Sequence, residues 1–380
     1  MAAGTESFNQ FVQRIRPIFF VSYLKMLPFA GRSREPSVSE ASNEPVPSNR
    51  SRKSFPNIFG SNAGTPSAPS PKSGNGSESQ SPAGTTAAQE LNDFTPPPGH
   101  HGNLTESQES ALEELKAALL EDKLITSDPE PKYQETQLLR FLRARSFNVQ
   151  LSREMYTRAR EWKQSINLAD LCDKFEFTER AQIAEYGWRM YFHKTDKVGR
   201  PIFIQDMSKL NSDKVFKTTT PERIIQNFAV TLEKAVQVRY DACTQKEGHL
   251  VDDNFMVLNV AGLGFSTFWS MRQQLQHLLS VLDDNFPELS GRVQIINAPY
   301  LFTTVWAYVK NWIPTHTAEK IDICGTDYIN VISEFIDMEN WPEYLGGKCK
   351  CAGGSCQTRD EGPWEDALKD FDCQKTETIS

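Results

Sequence analysis

The sequence predicts an α/β fold preceded by a small helical unit, and three observations carry that prediction. Four short apolar runs, RPIFIQDM (200–207), NFMVLNV (254–260), VQIIN (293–297) and KIDIC (320–324), have the length and character of buried strands. Helical stretches separate them, and strands alternating with helices imply a mainly parallel sheet. Before about residue 177 the apolar spacing is helical only.

In chain order, residues 8–30 set Phe11, Ile15, Phe19, Phe20 and Leu24 among Arg14, Arg16 and Lys25. This basic amphipathic segment suits an anionic membrane surface, an import signal or an unstructured tail, and the residues alone leave these open. Pro17 and Pro28 interrupt any helix there, and no small-residue cleavage site follows closely. From Gly31 to His100, Gly, Ser, Pro and Asn supply 38 of 70 residues, too polar a stretch to repay the entropy of ordering. Order resumes at Thr105, which with Gln108 forms a capping box ahead of Leu112, Leu115, Ala118 and Leu119. Further helices are expected over Thr136–Ser146 and Gln150–Lys163. Past the first strand, Thr220-Pro221-Glu222 caps a helix with proline at its first position, and another helix is expected from about Ser266 to Phe286. The expected division is 1–30, a basic segment; 31–98, a linker; 99–175, the helical unit; 176–350, the α/β domain; and 351–380, a C-terminal tail whose end, 359–380, is expected to be solvated and partly ordered.

Composition removes several function classes. The chain has 380 residues, with 41 basic and 49 acidic side chains for a net charge of −8. Residues 101–380 carry the acidity (32 basic, 42 acidic), which argues against a nucleic-acid binder. No apolar run reaches the ~18–20 residues of a membrane span. Seven sparse cysteines fit a reducing compartment better than a disulfide framework. There is no GxSxG elbow, HExxH or P-loop, and Gly262-Leu263-Gly264 lacks the third glycine of a dinucleotide fingerprint. An enzyme is not expected, and neither is a cofactor.

Two segments remain ambiguous on their residues alone. LLRFLRARSF (138–147) puts three arginines within six residues, either a solvated helix face or a bidentate phosphate grip. The run YLFTTVWAYVKNWI (300–313) is apolar nearly all round, as in a buried core helix or a flap that covers an acyl chain and meets a bilayer on opening.

Four motifs in order, LLRFLRARSF, HKTDKVGRPIF (193–203), FPELSGRVQIINAP (286–299) and AEKIDICG (318–325), resemble the CRAL-TRIO lipid-binding family. The chain is most similar to the secretory-pathway phosphatidylinositol transfer proteins of fungi and plants, over about residues 94–365. That resemblance implies a helical tripod beside a sheet that floors one apolar pocket, with a gating helix across it. The gate would carry Leu301, Phe302, Val305, Trp306, Val309, Trp312 and Ile313. Burying two acyl chains at ~0.8 kcal/mol per CH₂ offsets extraction from a bilayer, so headgroup contacts must set selectivity.

The resemblance also implies site residues. An inositol-lipid headgroup would be held by Arg145, Glu288, Thr317 and Lys320, cations and hydroxyl for the phosphodiester and a carboxylate for inositol hydroxyls. One departure is Ser146, where many relatives carry a second basic residue. At the positions relatives use for phosphatidylcholine, this chain has Phe192, Phe203, Leu232 and Gly264, with Ser266 retaining a hydroxyl. Phenol donors are thereby lost, so choline-lipid binding is expected to weaken and the second ligand to be another phospholipid, a sterol or another apolar molecule. The partners implied are phosphatidylinositol, a membrane surface and a phosphatidylinositol kinase. The place implied is the cytoplasm, peripheral to Golgi or endosomal membranes. Cys349, Cys351 and Cys356, with Cys373 beyond, have no standard zinc-knuckle spacing. They are expected to be a loop staple or plain thiols rather than a metal site.

Overall fold

The computed structural model describes residues 94–126, 131–352, 355–357, 360–369 and 371. The basic segment at 1–30 and nearly all of the linker lie outside the described residues.

The helical unit begins as its capping signal dictates. Helix α1 (Glu106–Glu121) starts after Thr105, whose Oγ1 accepts from the Gln108 backbone N–H while Gln108 Oε1 accepts from that of Thr105. Its buried Leu112, Leu115 and Leu119 pack on Leu138, Leu139 and Leu142 of α2 (Pro131–Ala144). Helix α2 opens earlier than its apolar spacing suggests and ends at Ala144. Ser146 and Phe147 take φ +50° and +61°, and the Phe147 N–H returns to the Leu142 carbonyl at 2.7 Å, so the helix cannot continue. Helix α3 (Val149–Ser165) is capped by Asn148, whose side chain accepts from the Leu151 N–H. Short helices α4 (Leu168–Lys174) and α5 (Arg180–Glu185) follow, and their Leu168, Cys172 and Ile183 already belong to the main core.

The sheet has five strands in the order β1-β2-β3-β4-β5: β1 (Arg189–Thr195), β2 (Pro201–Asp206), β3 (Asn254–Asn259), β4 (Ser290–Ile296) and β5 (Ile321–Ile323). Strands β2 to β5 are parallel and are the four expected from sequence. Strand β1 was not legible: Arg189, His193 and Lys194 break its apolar pattern, and it pairs antiparallel to β2 at the edge. The expectation that KIDIC is buried is corrected. As the opposite edge strand, Ile321–Ile323 is half-buried to exposed.

Strand alternation divides the core between two faces. On one, Phe192 and Phe203 join Phe228 and Leu232 of α7 (Pro221–Lys234), Phe268 and Met271 of α9 (Phe265–Asn285), and Phe302 and Val305 of α10 (Phe302–Val309). On the other, Tyr191, Ile202, Ile204, Phe255 and Val257 pack under Ile332 of α12 (Ile329–Phe335) and Trp341. Between β2 and α7 lies α6 (Ser212–Thr218), and α11 (Thr315–Ala318) precedes β5. Helix α7 runs through a π-turn (Ala235–Arg239) into α8 (Tyr240–Glu247).

Two further expectations change. The helix in 300–313 spans only Phe302–Val309 and is one-sided: Phe302 and Val305 are buried, whereas Thr304, Ala307 and Tyr308 are exposed, as are Tyr300 and Leu301 just before it. The described part of the C-terminal tail is anchored at Trp364 rather than wholly solvated. Trp364, just before α13 (Glu365–Lys369), is fully buried against Phe192, and its indole N–H donates to Asp360 at 2.9 Å.

Candidate functional site

Glu288 sits in the turn between α9 and β4 at φ +57°. Its side chain is only 5% exposed, and its carboxylate accepts from Lys320 Nζ at 2.6 Å, with Arg143 Nε 3.8 Å away. Lys320 is placed by the register of β5: its carbonyl accepts from the Val293 N–H of β4, and Val293 faces Ile321. Thr317 lies one turn earlier, in α11, and its carbonyl accepts from the Lys320 N–H at 3.1 Å. Three of the four expected headgroup residues therefore lie on one rim of the sheet.

Arg145 is placed differently. It follows the end of α2 and donates to the Ala144 carbonyl, and its charge is felt by Asp284 near the end of α9. The arginine in contact with Glu288 is Arg143, one helical turn after Arg140 and on the same inward face. Sequence spacing could have singled out this pair, because both follow buried leucines at helical intervals. Arg140 donates twice to the Asp252 carbonyl, at 3.2 and 2.8 Å, and Arg143 Nη2 pairs with the Asp252 carboxylate at 3.4 Å. His100 Nδ1 reaches the same carboxylate at 3.0 Å. Burial alone would raise Asp252, but the His100 hydrogen bond and the Arg143 and Arg140 charges hold it below the ordinary carboxylate range. Its neighbour Asp253 is raised by burial. Burial also lowers Arg143, against the pull of Asp252.

The residues expected around a second ligand divide in two. Phe192 and Phe203 lie tilted against each other with ring centroids 4.7 Å apart, Phe203 meets Phe228 edge-on, and Leu232 lies in the same buried cluster. Gly264 and Ser266 are exposed at the start of α9, and no described contact joins them to the phenylalanines. Arg239 lies with its guanidinium 4.5 Å from the Phe192 ring centroid and pairs with Asp360.

Helix α10 rests on this apolar face. Trp306, Val309 and Trp312 are half-buried against the main core, Trp312 stacks on Phe268, and Ile313 is half-buried. Its outer side meets the first turn of α9. Phe265 stacks on Trp269 and Trp269 meets Tyr308 edge-on, all three exposed. A separate cavity of about 280 Å³ opens beside β1 and α7, and its lining mixes Phe192 and Val230 with Arg180, Lys234, Arg239 and Asp360. That lining is not purely apolar and includes no residue of α10.

The three cysteines lie together. Cys349 and Cys351 have sulfurs 3.6 Å apart, and Cys351 and Cys356 have theirs 3.3 Å apart. Cys373 is outside the described residues, and the group beside the three is His193 of β1.

Family models match two parts of the chain: CRAL/TRIO, N-terminal domain, at residues 111–158, and CRAL/TRIO domain at 185–347. The chain is 33% identical over 270 residues to Sec14 cytosolic factor of Schizosaccharomyces pombe, covering 71% of this chain and 92% of that protein. It is 32% identical over 258 residues to the phosphatidylinositol/phosphatidylcholine transfer protein SFH4 of Arabidopsis thaliana, covering 67% of this chain but 42% of the relative. A crystal structure of Sfh5 shares the fold, with a TM-score of 0.55 over 72% of this chain and 98% of that one at 15% identity. With a relative at this identity matched along nearly its whole length, the chain belongs to the CRAL-TRIO family.

Proposed function

We propose that the protein is a non-enzymatic carrier that takes up one phosphatidylinositol molecule, exchanging it between membranes or presenting it for phosphoinositide synthesis. The observation that carries this reading is the Glu288 carboxylate held between Lys320 and Arg143. An acceptor suited to inositol hydroxyls stands beside two cations suited to a phosphodiester, with the Thr317 hydroxyl one turn away. Arg145 would join them from the end of α2. The name of the Arabidopsis relative, a phosphatidylinositol/phosphatidylcholine transfer protein, supports the lipid class.

Acyl chains would enter the apolar core that Phe302 and Val305 of α10 join, beside Phe268 under Trp312, so uptake requires α10 to lift. The exposed Tyr300, Leu301, Tyr308, Phe265 and Trp269 then form the membrane-facing surface. Phosphatidylcholine binding is weakened in this reading, because Phe192, Phe203 and Leu232 offer no hydroxyl to a choline phosphate. The apolar side chains at these three positions favour a sterol or another apolar molecule as second ligand.

Vesicle-to-vesicle transfer of labelled phosphatidylinositol and phosphatidylcholine, run in parallel for wild type and Glu288→Ala/Lys320→Ala, tests the assignment. Inositol-lipid transfer that the double variant loses, with little choline-lipid transfer by wild type, is the expected result. Wild type that moves no inositol lipid overturns the headgroup reading, and equal transfer of both lipids overturns the selectivity.

A further inference from the structure

We infer that His193, Cys349, Cys351 and Cys356 form a tetrahedral Cys₃His site for a structural zinc ion, which clips the segment after the sheet to the bulged edge strand β1. Each residue offers one ligand atom, and the four atoms lie within 4.8 Å of one another. In a zinc tetrahedron with Zn–S of ~2.3 Å the sulfurs stand ~3.7 Å apart, close to the 3.6 and 3.3 Å found here. A disulfide, at ~2.05 Å, would join two of the three sulfurs and leave the third and the imidazole without a role.

His193 is the observation that points to a ion rather than to packing alone. Its side chain is fully buried, yet neither Nδ1 nor Nε2 has a hydrogen-bond partner among the described residues. A buried imidazole without partners is costly unless it gives its lone pair to something.

The backbone brings these residues together by unusual means. The pairing of β1 with β2 shifts register between Phe192 and Thr195, and Lys194 takes φ +51°. Freed from the ladder, His193 bridges to Glu361, and the Lys194 N–H donates to the Glu361 carbonyl at 2.6 Å. On the other side, a side chain at Gly347 would put its Cβ 1.9 Å from the Trp341 carbonyl oxygen. Only glycine lets the chain turn back there, so that the Cys349 N–H reaches that oxygen at 3.0 Å.

Charge is provided for as well. Binding converts three thiols to thiolates with release of their protons, and with Zn²⁺ and a neutral imidazole the site carries one negative charge. Lys194, the residue after His193 in β1, supplies a neighbouring cation.

The test uses the full-length chain, purified without a histidine tag or chelator. Expected are one zinc per chain by inductively coupled plasma mass spectrometry, and three thiols that react with Ellman's reagent only after the metal is stripped. In Cys356→Ser and His193→Ala, zinc content should fall at least tenfold. Should those variants misfold, stripped wild type reloaded with Co²⁺ decides. Thiolate-to-cobalt charge-transfer bands with tetrahedral ligand-field bands support the site. Their absence, or a wild-type chain without zinc whose thiols all react at once, or zinc unchanged in both variants, overturns it. Lipid transfer enters none of these readouts, so the zinc site and the proposed lipid cargo stand or fall separately.

Discussion

Tyr300→Ser/Leu301→Ser probes the outer side of α10, the surface expected to meet the bilayer. Both residues precede the helix proper and are 96% and 63% exposed, so folding gains little from them. Stability should stay within about 0.5 kcal/mol of wild type. Membrane binding should not. Burying a full leucine or aromatic side chain contributes ~1.5–3 kcal/mol, and scaling by the area still open gives about 1 to 2 kcal/mol for Leu301 and about 1.5 to 3 for Tyr300. Together these amount to at least about 2.4 kcal/mol, or upwards of ~60-fold in partitioning. Co-sedimentation with phosphatidylcholine/phosphatidylinositol vesicles, over a lipid titration, reads this directly. A double variant that binds within about threefold of wild type would refute the reasoning, because the protein would then be meeting the membrane through another surface.

The remaining predictions concern the site and its support. Arg143→Ala should lower unfolding stability by ~1–3 kcal/mol in urea denaturation, because Asp252 and Glu288 stay buried with one cation fewer; Arg145→Ala should leave stability unchanged and reduce inositol-lipid transfer alone. Trp364→Ala should cost ~3–5 kcal/mol, measured the same way, since it empties a fully buried site that the sequence pattern reads as tail. For pH, the Arg223 hydrogen bonds hold Glu179 down to about 2 from an ordinary 4.5. A depressed carboxyl contributes stability that is fully present above 4.5 and is lost as pH falls through the folded value. The stability gap between wild type and Glu179→Gln should therefore be constant above pH 4.5 and shrink toward pH 2. A gap that widens on acidification would contradict the assignment.

What could be read along the chain was whatever depends on neighbours a few residues apart. The Thr105–Gln108 capping box, the Thr220-Pro221 start of α7 and the four parallel strands all rest on local hydrogen bonds and side-chain periodicity, and each is found within a few residues of its expected place. The order of the motifs was enough to suggest the family. Strand β1 escaped because its edge position lets it carry charge, and its bulge hides the alternation that marks a strand. Helix α10 was over-read because an unbroken apolar run does not say which side is covered; the main core buries Phe302 and Val305, while Tyr300 and Leu301 remain open.

Tertiary structure alone decided which distant groups meet. Glu288 contacts Arg143 rather than Arg145 because two left-handed residues end α2 just after Ala144, which leaves Arg140 and Arg143 on the inward face. The cysteines gain their fourth neighbour from β1 because a register shift in an edge strand releases His193 toward them. The sequence by itself determined the helices, the parallel strands and the chemical types available at each rim. Contacts between groups far apart in the chain depend on where helices stop and how strands slip, and local spacing does not encode either.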